Sequence, residues 1–215
     1  MQQDPRLDET RVGRALRRAG IDVPAERLAT LVEFLRLLVK WNRVYNLTGI
    51  RDADELVERH LVESLALAPL LRGTRIADVG TGAGLPGMPL AIVEPERRFV
   101  LVESRAKRVR FLRHAVGELG LGNVEVAHAR VEHLPCERPF DTVLARAVAP
   151  PADLIKMTRH LTAPGSILLL LTAERLEREW RGLAQDYRLR PVDVETAARL
   201  RHSSIVMLER SGSPE

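Results

Sequence analysis

One stretch constrains this chain more than any other: a short apolar run, Arg75–Val79, that carries an acid, Asp78, one residue before its end and passes straight into Gly80-Thr81-Gly82-Ala83-Gly84-Leu85-Pro86-Gly87. Four glycines in eight residues cannot sit inside a helix or a strand at low cost, because glycine loses the most conformational freedom on ordering. They specify a tight bend after a buried strand. The apolar residues that follow, Met88–Val93, open a helix that Pro95 ends. Strand, glycine bend and helix in that order put backbone N–H groups around a ligand at a helix start.

The rest of the chain agrees with an α/β domain. Phe99–Glu103, Val124–Ala127, Asp141–Ala145 and Ser166–Leu171 are apolar runs, which suits strands buried on both faces of a parallel sheet. Helical spacing fills Arg105–Leu119, Ala152–Leu161 and Glu174–Gln185 between them. Arg190–Val194 and Ser204–Glu209 complete seven strands, and their short connection predicts an antiparallel strand at that end. Before the sheet come helices. One carries Val12, Leu16 and Ala19 and stops at Gly20. A second, after Pro24, carries Leu28, Leu31, Val32, Leu35, Leu38 and Val39. A third starts at Asp52, with Glu55 placed to complete a capping box, and carries Leu56, Leu61 and Leu65. The expected division is a helical extension over 1–73 packed on a ligand-binding core over 74–215.

Composition narrows the partners. The net charge of +4 leans mildly towards an anionic partner such as nucleic acid. Aromatics at 4% argue against a base-stacking platform. One cysteine, Cys136, excludes an internal disulfide and fits a reducing, cytoplasmic setting. The apolar stretch Ser166–Thr172 is too short to span a bilayer, and the six histidines show no metal-ligand spacing. No membrane and no metal partner is expected.

The bend admits two ligand classes. Gly82, Gly84 and Gly87 match the dinucleotide pattern, and Glu103 stands about 20 residues on, where a ribose-binding acid belongs. Three features favour S-adenosylmethionine. Asp78 at the strand tip suits a ligand with an ammonium and a sulfonium and would repel a pyrophosphate. There is no room for a separate catalytic domain. The chain closes with a strand pair after the fifth strand. In this reading Glu103 accepts the two ribose hydroxyls; its bland alternative is a solvated partner of Arg105 or Lys107.

Further residues carry a family resemblance. Trp41-Asn42, Asn46-Leu47-Thr48 and Arg59-His60-Leu61-Val62-Glu63-Ser64 precede the Asp78–Pro89 loop. Lys107-Arg108-Val109-Arg110-Phe111-Leu112, Arg130-Val131-Glu132 and Ala145-Arg146-Ala147 follow it. This ordered series, over about Leu28 to Glu209, resembles the bacterial ribosomal RNA small-subunit methyltransferase G family, also called the glucose-inhibited division protein B family. Glu63 stands where that family usually has Asp, and Ala145 where Ser is common.

The resemblance implies a Rossmann-like class I methyltransferase with a mostly parallel seven-stranded sheet and helices on both faces. It implies S-adenosylmethionine as cofactor and guanine N7, position 527 of 16S ribosomal RNA, as target. By match to the family pattern Gly80, Leu85, Val131, Glu132 and Arg146 would contact the cofactor; with Asp78, Gly82, Gly84 and Glu103 from the reading of the bend they make up the expected cofactor-binding set. A monomer acting on 16S RNA or the small ribosomal subunit is expected. N7 carries a lone pair and no proton, so transfer needs orientation and no general base. Arg146, at the end of the fourth strand, is the candidate for positioning the substrate through O6 or a phosphate. Its alternative is an ion pair with Asp78 or Glu132. Ala149-Pro150-Pro151-Ala152 lacks the amide and aromatic of amine methylases, and Cys136 reads as a loop residue. Lys107, Arg110, Arg130 and Arg201 are candidate RNA contacts, against the simpler reading of a solvated basic face. For His60, Ser64, Asn46 and Thr48, a packed helical subdomain and a role at the site's edge both stand open. Trp41 and Trp180 are expected to pack on the core.

Overall fold

The computed structural model describes residues 6–146, 149–172, 186–200 and 203–212. The expected helix Glu174–Gln185, with Trp180, lies outside the described residues, as do Ala147, Arg201 and His202.

Seven strands form one sheet: β1 (Arg75–Val79), β2 (Arg98–Glu103), β3 (Val124–His128), β4 (Thr142–Arg146), β5 (Ile167–Thr172), β6 (Tyr187–Arg190) and β7 (Ser204–Arg210). Their order is β3-β2-β1-β4-β5-β7-β6. The first five are parallel, and β7 runs antiparallel to both β5 and β6. The chain reverses its direction of growth between β1 and β4, so the C-terminal ends of those strands flank the crevice where such sheets bind ligands.

One expected strand is displaced. Arg190–Val194 is not a strand; β6 ends at Arg190, where Pro191 follows without an N–H to give to a ladder. Asp193 then accepts the Thr196 N–H at 2.7 Å and caps a short helix, α8 (Val194–Arg199).

Before the sheet come α1 (Glu9–Arg18), capped by Asp8, and α2 (Ala25–Tyr45). α3 (Ala53–Leu56) continues through a π-helical turn (Val57–Val62) into α4 (Glu63–Leu65). Asp52 caps α3 by accepting the N–H groups of Asp54 and Glu55, but Glu55 does not complete a capping box. Its carboxylate pairs with Arg59 at 2.9 Å instead. Leu56, Val57, His60, Leu61 and Val62 are all buried along this turn.

α5 (Gly87–Val93), α6 (Ala106–Glu118) and α7 (Pro151–Thr158) cover the sheet. Strand residues of one parity, Ala77, Val79, Val143, Ala145, Leu168 and Leu170, pack with Leu154 and Ile155 of α7. Those of the other parity, Ile76, Phe99, Leu144, Ile167 and Leu169, pack with Leu90 and Ala91 of α5. Helices therefore lie on both faces, as apolar runs in parallel strands require. α1, α2 and the π turn share one continuous apolar cluster with Met88, Leu101, Phe111 and Leu112. Trp41 lies between Tyr45, Phe111 and His114, with ring centroids 5.2, 5.7 and 5.2 Å away, and joins α2 to α6. No helix among the described residues is long and apolar enough to cross a membrane.

Candidate functional site

β1 delivers Asp78 and Val79 to the crevice, and the bend that follows keeps its glycines in a conformation other residues resist. Gly80, Gly82 and Gly84 have φ of 64°, 62° and 84°. The bend is pinned to the sheet by Thr81 N–H on the Val102 carbonyl at 3.1 Å, and it closes a turn with Leu85 N–H on Thr81 at 3.0 Å. Gly87 is required for closeness: a Cβ there would lie 2.5 Å from Leu101 and 2.7 Å from Asp78 Oδ2.

Asp78 is fully buried beneath this bend. Its Oδ2 accepts the Thr81 hydroxyl at 2.6 Å and the Gly87 N–H at 2.8 Å. Its Oδ1 is buried without a hydrogen-bond partner. Burial pushes the carboxyl up to about 7, against the opposing pull of the Thr81 and Gly87 hydrogen bonds. Asp78 therefore shapes the loop from below, a role its position at the strand tip alone does not reveal. Thr81 was not among the expected site residues; its place between two glycines was the available signal.

Glu103 ends β2 beside the same bend and is 4% exposed. Its Oε2 accepts the Gly82 N–H at 3.1 Å, and its Oε1 accepts the Arg105 N–H at 2.8 Å. Its ionic partner is Arg108, at 3.4 Å, and not the side chain of Arg105 or Lys107. Arg108 also stands over the loop, 3.8 Å from where a Gly82 Cβ would be. Leu85 and Val131 are buried, and Glu132 is exposed just after β3.

Arg146 ends β4, part-buried, on the other side of the crevice. Its Nη1 is 3.1 Å from His60 Nδ1, and its Nη2 donates to the Arg59 carbonyl at 3.4 Å. Those partners replace the ion pair with Asp78 or Glu132 considered from sequence. Both acids Asp78 and Glu63 still act on it through space. Burial, reinforced by the Arg146 charge, pushes the His60 imidazole down to about 3, so it is neutral at physiological pH. Ser64 donates its hydroxyl to the His60 carbonyl, and Thr48 meets the His60 ring. Asn46 caps α2 in the left-handed region at φ 48°.

Lys107, Arg110, Arg113 and Arg130 are exposed. Cys136 is half-buried, donates to the Arg138 carbonyl at 3.3 Å, and has its thiol pKa raised by burial, which makes it a poor nucleophile. Among the described residues no group of three His, Cys, Asp or Glu side chains could hold a metal ion.

The observed donor set fits S-adenosylmethionine. The left-handed bend leaves Gly80 and Gly82 half-buried at the crevice, Glu103 stands beside it with two acceptor oxygens, and the unpartnered Asp78 Oδ1 lies below, an acid whose ionised form a cationic ligand would favour. Similar folds carry that cofactor. A magnesium protoporphyrin IX methyltransferase from Synechocystis, solved with the cofactor bound, superposes with a TM-score of 0.59 at 18% identity, over 83% of this chain and 97% of its own. A methyltransferase from Aquifex aeolicus gives 0.56 at 19% identity, over 76% and 96%. Closer in sequence, the ribosomal RNA small subunit methyltransferase G of Cronobacter sakazakii is 41% identical over 92% of this chain and 97% of its own length. That of Methylococcus capsulatus is 49% identical over 77% and 81%. The family profile for rRNA small subunit methyltransferase G matches residues 27–205. With that match across most of its length, the chain belongs to the rRNA small subunit methyltransferase G family.

Proposed function

We propose that this enzyme methylates N7 of guanine 527 in 16S ribosomal RNA, and that Arg146 orients the target base. S-adenosylmethionine, when bound, supplies the methyl group on a sulfonium. The observation that supports its placement is the meeting of Glu103 Oε2 with the Gly82 N–H at 3.1 Å, at the tips of adjacent strands. Gly80, Gly82, Gly84 and Leu85 would line the cofactor, Glu103 would take its ribose hydroxyls, and Val131 and Glu132 would border its base. Asp78 holds the loop and would ionise beneath it when the cationic ligand binds.

A target atom that carries no proton suits this reading. Methylation of an amine or a hydroxyl calls for proton removal, whereas guanine N7 presents a bare lone pair. His60 beside Arg146 is neutral, but both its ring nitrogens are engaged by Thr48 and Arg146. Arg146 is suited to O6 of the same base edge, since paired N7 and O6 acceptors are a common Arg target. After transfer the purine is cationic, and a guanidinium nearby favours its release. The exposed Lys107, Arg110 and Arg130, together with Arg201, would meet RNA phosphates. The same reading has the enzyme act as a cytoplasmic monomer with no metal.

The test is to map N7-methylguanine on 16S RNA from a strain lacking the protein, complemented with wild type or Arg146→Ala. Loss of the mark at 527, restored by wild type and not by the variant, is expected. A mark that persists without the protein would end the proposal.

A further inference from the structure

The N-terminal helices reach Arg146 through the His60 ring and the Arg59 carbonyl. His60 is 6% exposed and sits inside the π-helical turn. Its Nδ1 is 3.1 Å from Arg146 Nη1. A guanidinium can only donate, so Nδ1 is the acceptor and carries no proton. The ring proton is then on Nε2, which donates to Thr48 Oγ1 at 2.8 Å. Thr48 Oγ1 also accepts the Ile50 N–H at 3.2 Å, and the Thr48 N–H donates to Asn42 Oδ1 at 2.9 Å. Asn42 in turn donates to the Ile50 carbonyl at 3.1 Å. A hydrogen-bonded chain thus runs from the middle of the helical layer to the tip of β4.

Two consecutive residues of the π turn hold the two ends of one guanidinium: the Arg59 carbonyl takes Nη2 and the His60 ring takes Nη1. Irregular helical turns of this kind occur frequently at functional sites. The chemistry of the holder matters. A carboxylate in contact would compete with an anionic or carbonyl substrate for the same N–H groups. A neutral imidazole fixes the plane and leaves the positive charge unspent. Glu63, 1% exposed and taking the Ser203 hydroxyl at 2.8 Å, keeps a countercharge in the neighbourhood.

We propose that His60 is the positioning residue for Arg146: an Nε2–H imidazole whose Nδ1 lone pair, with the Arg59 carbonyl, sets the guanidinium plane that meets the substrate base. The inference rests on the reading that Arg146 orients that base. His60 touches no substrate itself. Its contribution is to order a long, rotamer-rich side chain before the RNA arrives, so that the ordering cost is not paid in the reaction.

Two measurements on the full-length protein test it. Ring-nitrogen NMR of wild type is expected to show His60 as the neutral Nε2–H tautomer from about pH 5 to 8; an Nδ1–H or charged ring would overturn the proposal. Single-turnover methylation of small subunits lacking the mark is then compared for His60→Leu, Arg146→Ala and the double variant. His60→Leu is expected to slow transfer about 10- to 100-fold in wild type and by less than about twofold in the Arg146→Ala background. The same slowing in both backgrounds would overturn the role of His60 alone. An Arg146→Ala protein with wild-type turnover would overturn the base-orienting reading itself. Should His60→Leu fail to fold, His60→Asn and His60→Gln decide. Asn places an oxygen where Nδ1 was and is expected to be about tenfold faster than Gln, which places its amide near Nε2; equal rates contradict the proposal.

Discussion

Asp78 Oδ2 and the Gly87 N–H, nine residues apart in the chain, lie 2.8 Å apart beneath the glycine bend. This bond clamps the start of α5 to the tip of β1, and Thr81 adds its hydroxyl to the same oxygen. The bend therefore owes its shape to a buried acid as well as to its glycines.

Gly87→Ala is expected to lower stability by about 1–3 kcal/mol, because the new methyl meets Leu101 and Asp78 inside contact distance. Gly117→Ala is the control. Gly117 lies in α6 with nothing within 4 Å of a new Cβ, so the change is expected to raise stability by up to about 0.5–1 kcal/mol. Denaturant unfolding of both variants checks the contrast.

The Asp78 carboxyl, raised by burial to about 7 from an ordinary 3.8, makes stability depend on pH. The folded state binds the extra proton, so this contribution is fully present below about pH 4 and is lost as pH rises to about 7. Asp78→Asn removes that dependence. The melting-temperature difference, variant minus wild type, is expected to grow from pH 4 to 7 and then level off. A cationic ligand favours the ionised form, so calorimetry in buffers of different ionisation enthalpy is expected to show proton release when S-adenosylmethionine binds near pH 6.5.

Much of this site was legible in the sequence, because its parts are local. The acid-tipped strand, the glycines and Glu103 each declare themselves within a few residues. The partners did not, because they are set by crossings in space. Arg146 and His60 are 86 residues apart, and only the packing of the π turn against β4 joins them. Glu103 pairs with Arg108 because α6 turns that side chain back over the loop while Arg105 spends its backbone N–H on the same carboxylate. The displaced strand at Arg190–Val194 was readable after all: Pro191 and the Asp193 cap mark the end of one element and the start of the next. The π turn left no such mark: Val57, Leu61 and Leu65 are all buried at steps of four, the spacing of an ordinary α-helix.

Glu103→Ala is expected to weaken S-adenosylhomocysteine binding about 10- to 100-fold, the loss of a charged acceptor shared by two hydroxyls. Glu103→Gln, which keeps one acceptor oxygen, is expected to fall between. Equilibrium titration of the three proteins measures it.

Lys107 and Arg110 are exposed on α6, which begins three residues after Glu103. Replacing both with Ala is expected to flatten the dependence of log affinity for 16S RNA on log salt by about 1.5 to 2, as two phosphate contacts would require. An unchanged slope removes this helix from the RNA interface. Binding of S-adenosylhomocysteine is expected to stay at the wild-type level.

The central claim, that the bend over Asp78 cradles S-adenosylmethionine, is tested most directly by isothermal titration of the purified protein with S-adenosylhomocysteine and, separately, with NAD. One S-adenosylhomocysteine bound per chain and no heat from NAD is the predicted result. Saturable binding of NAD with none of S-adenosylhomocysteine would contradict it.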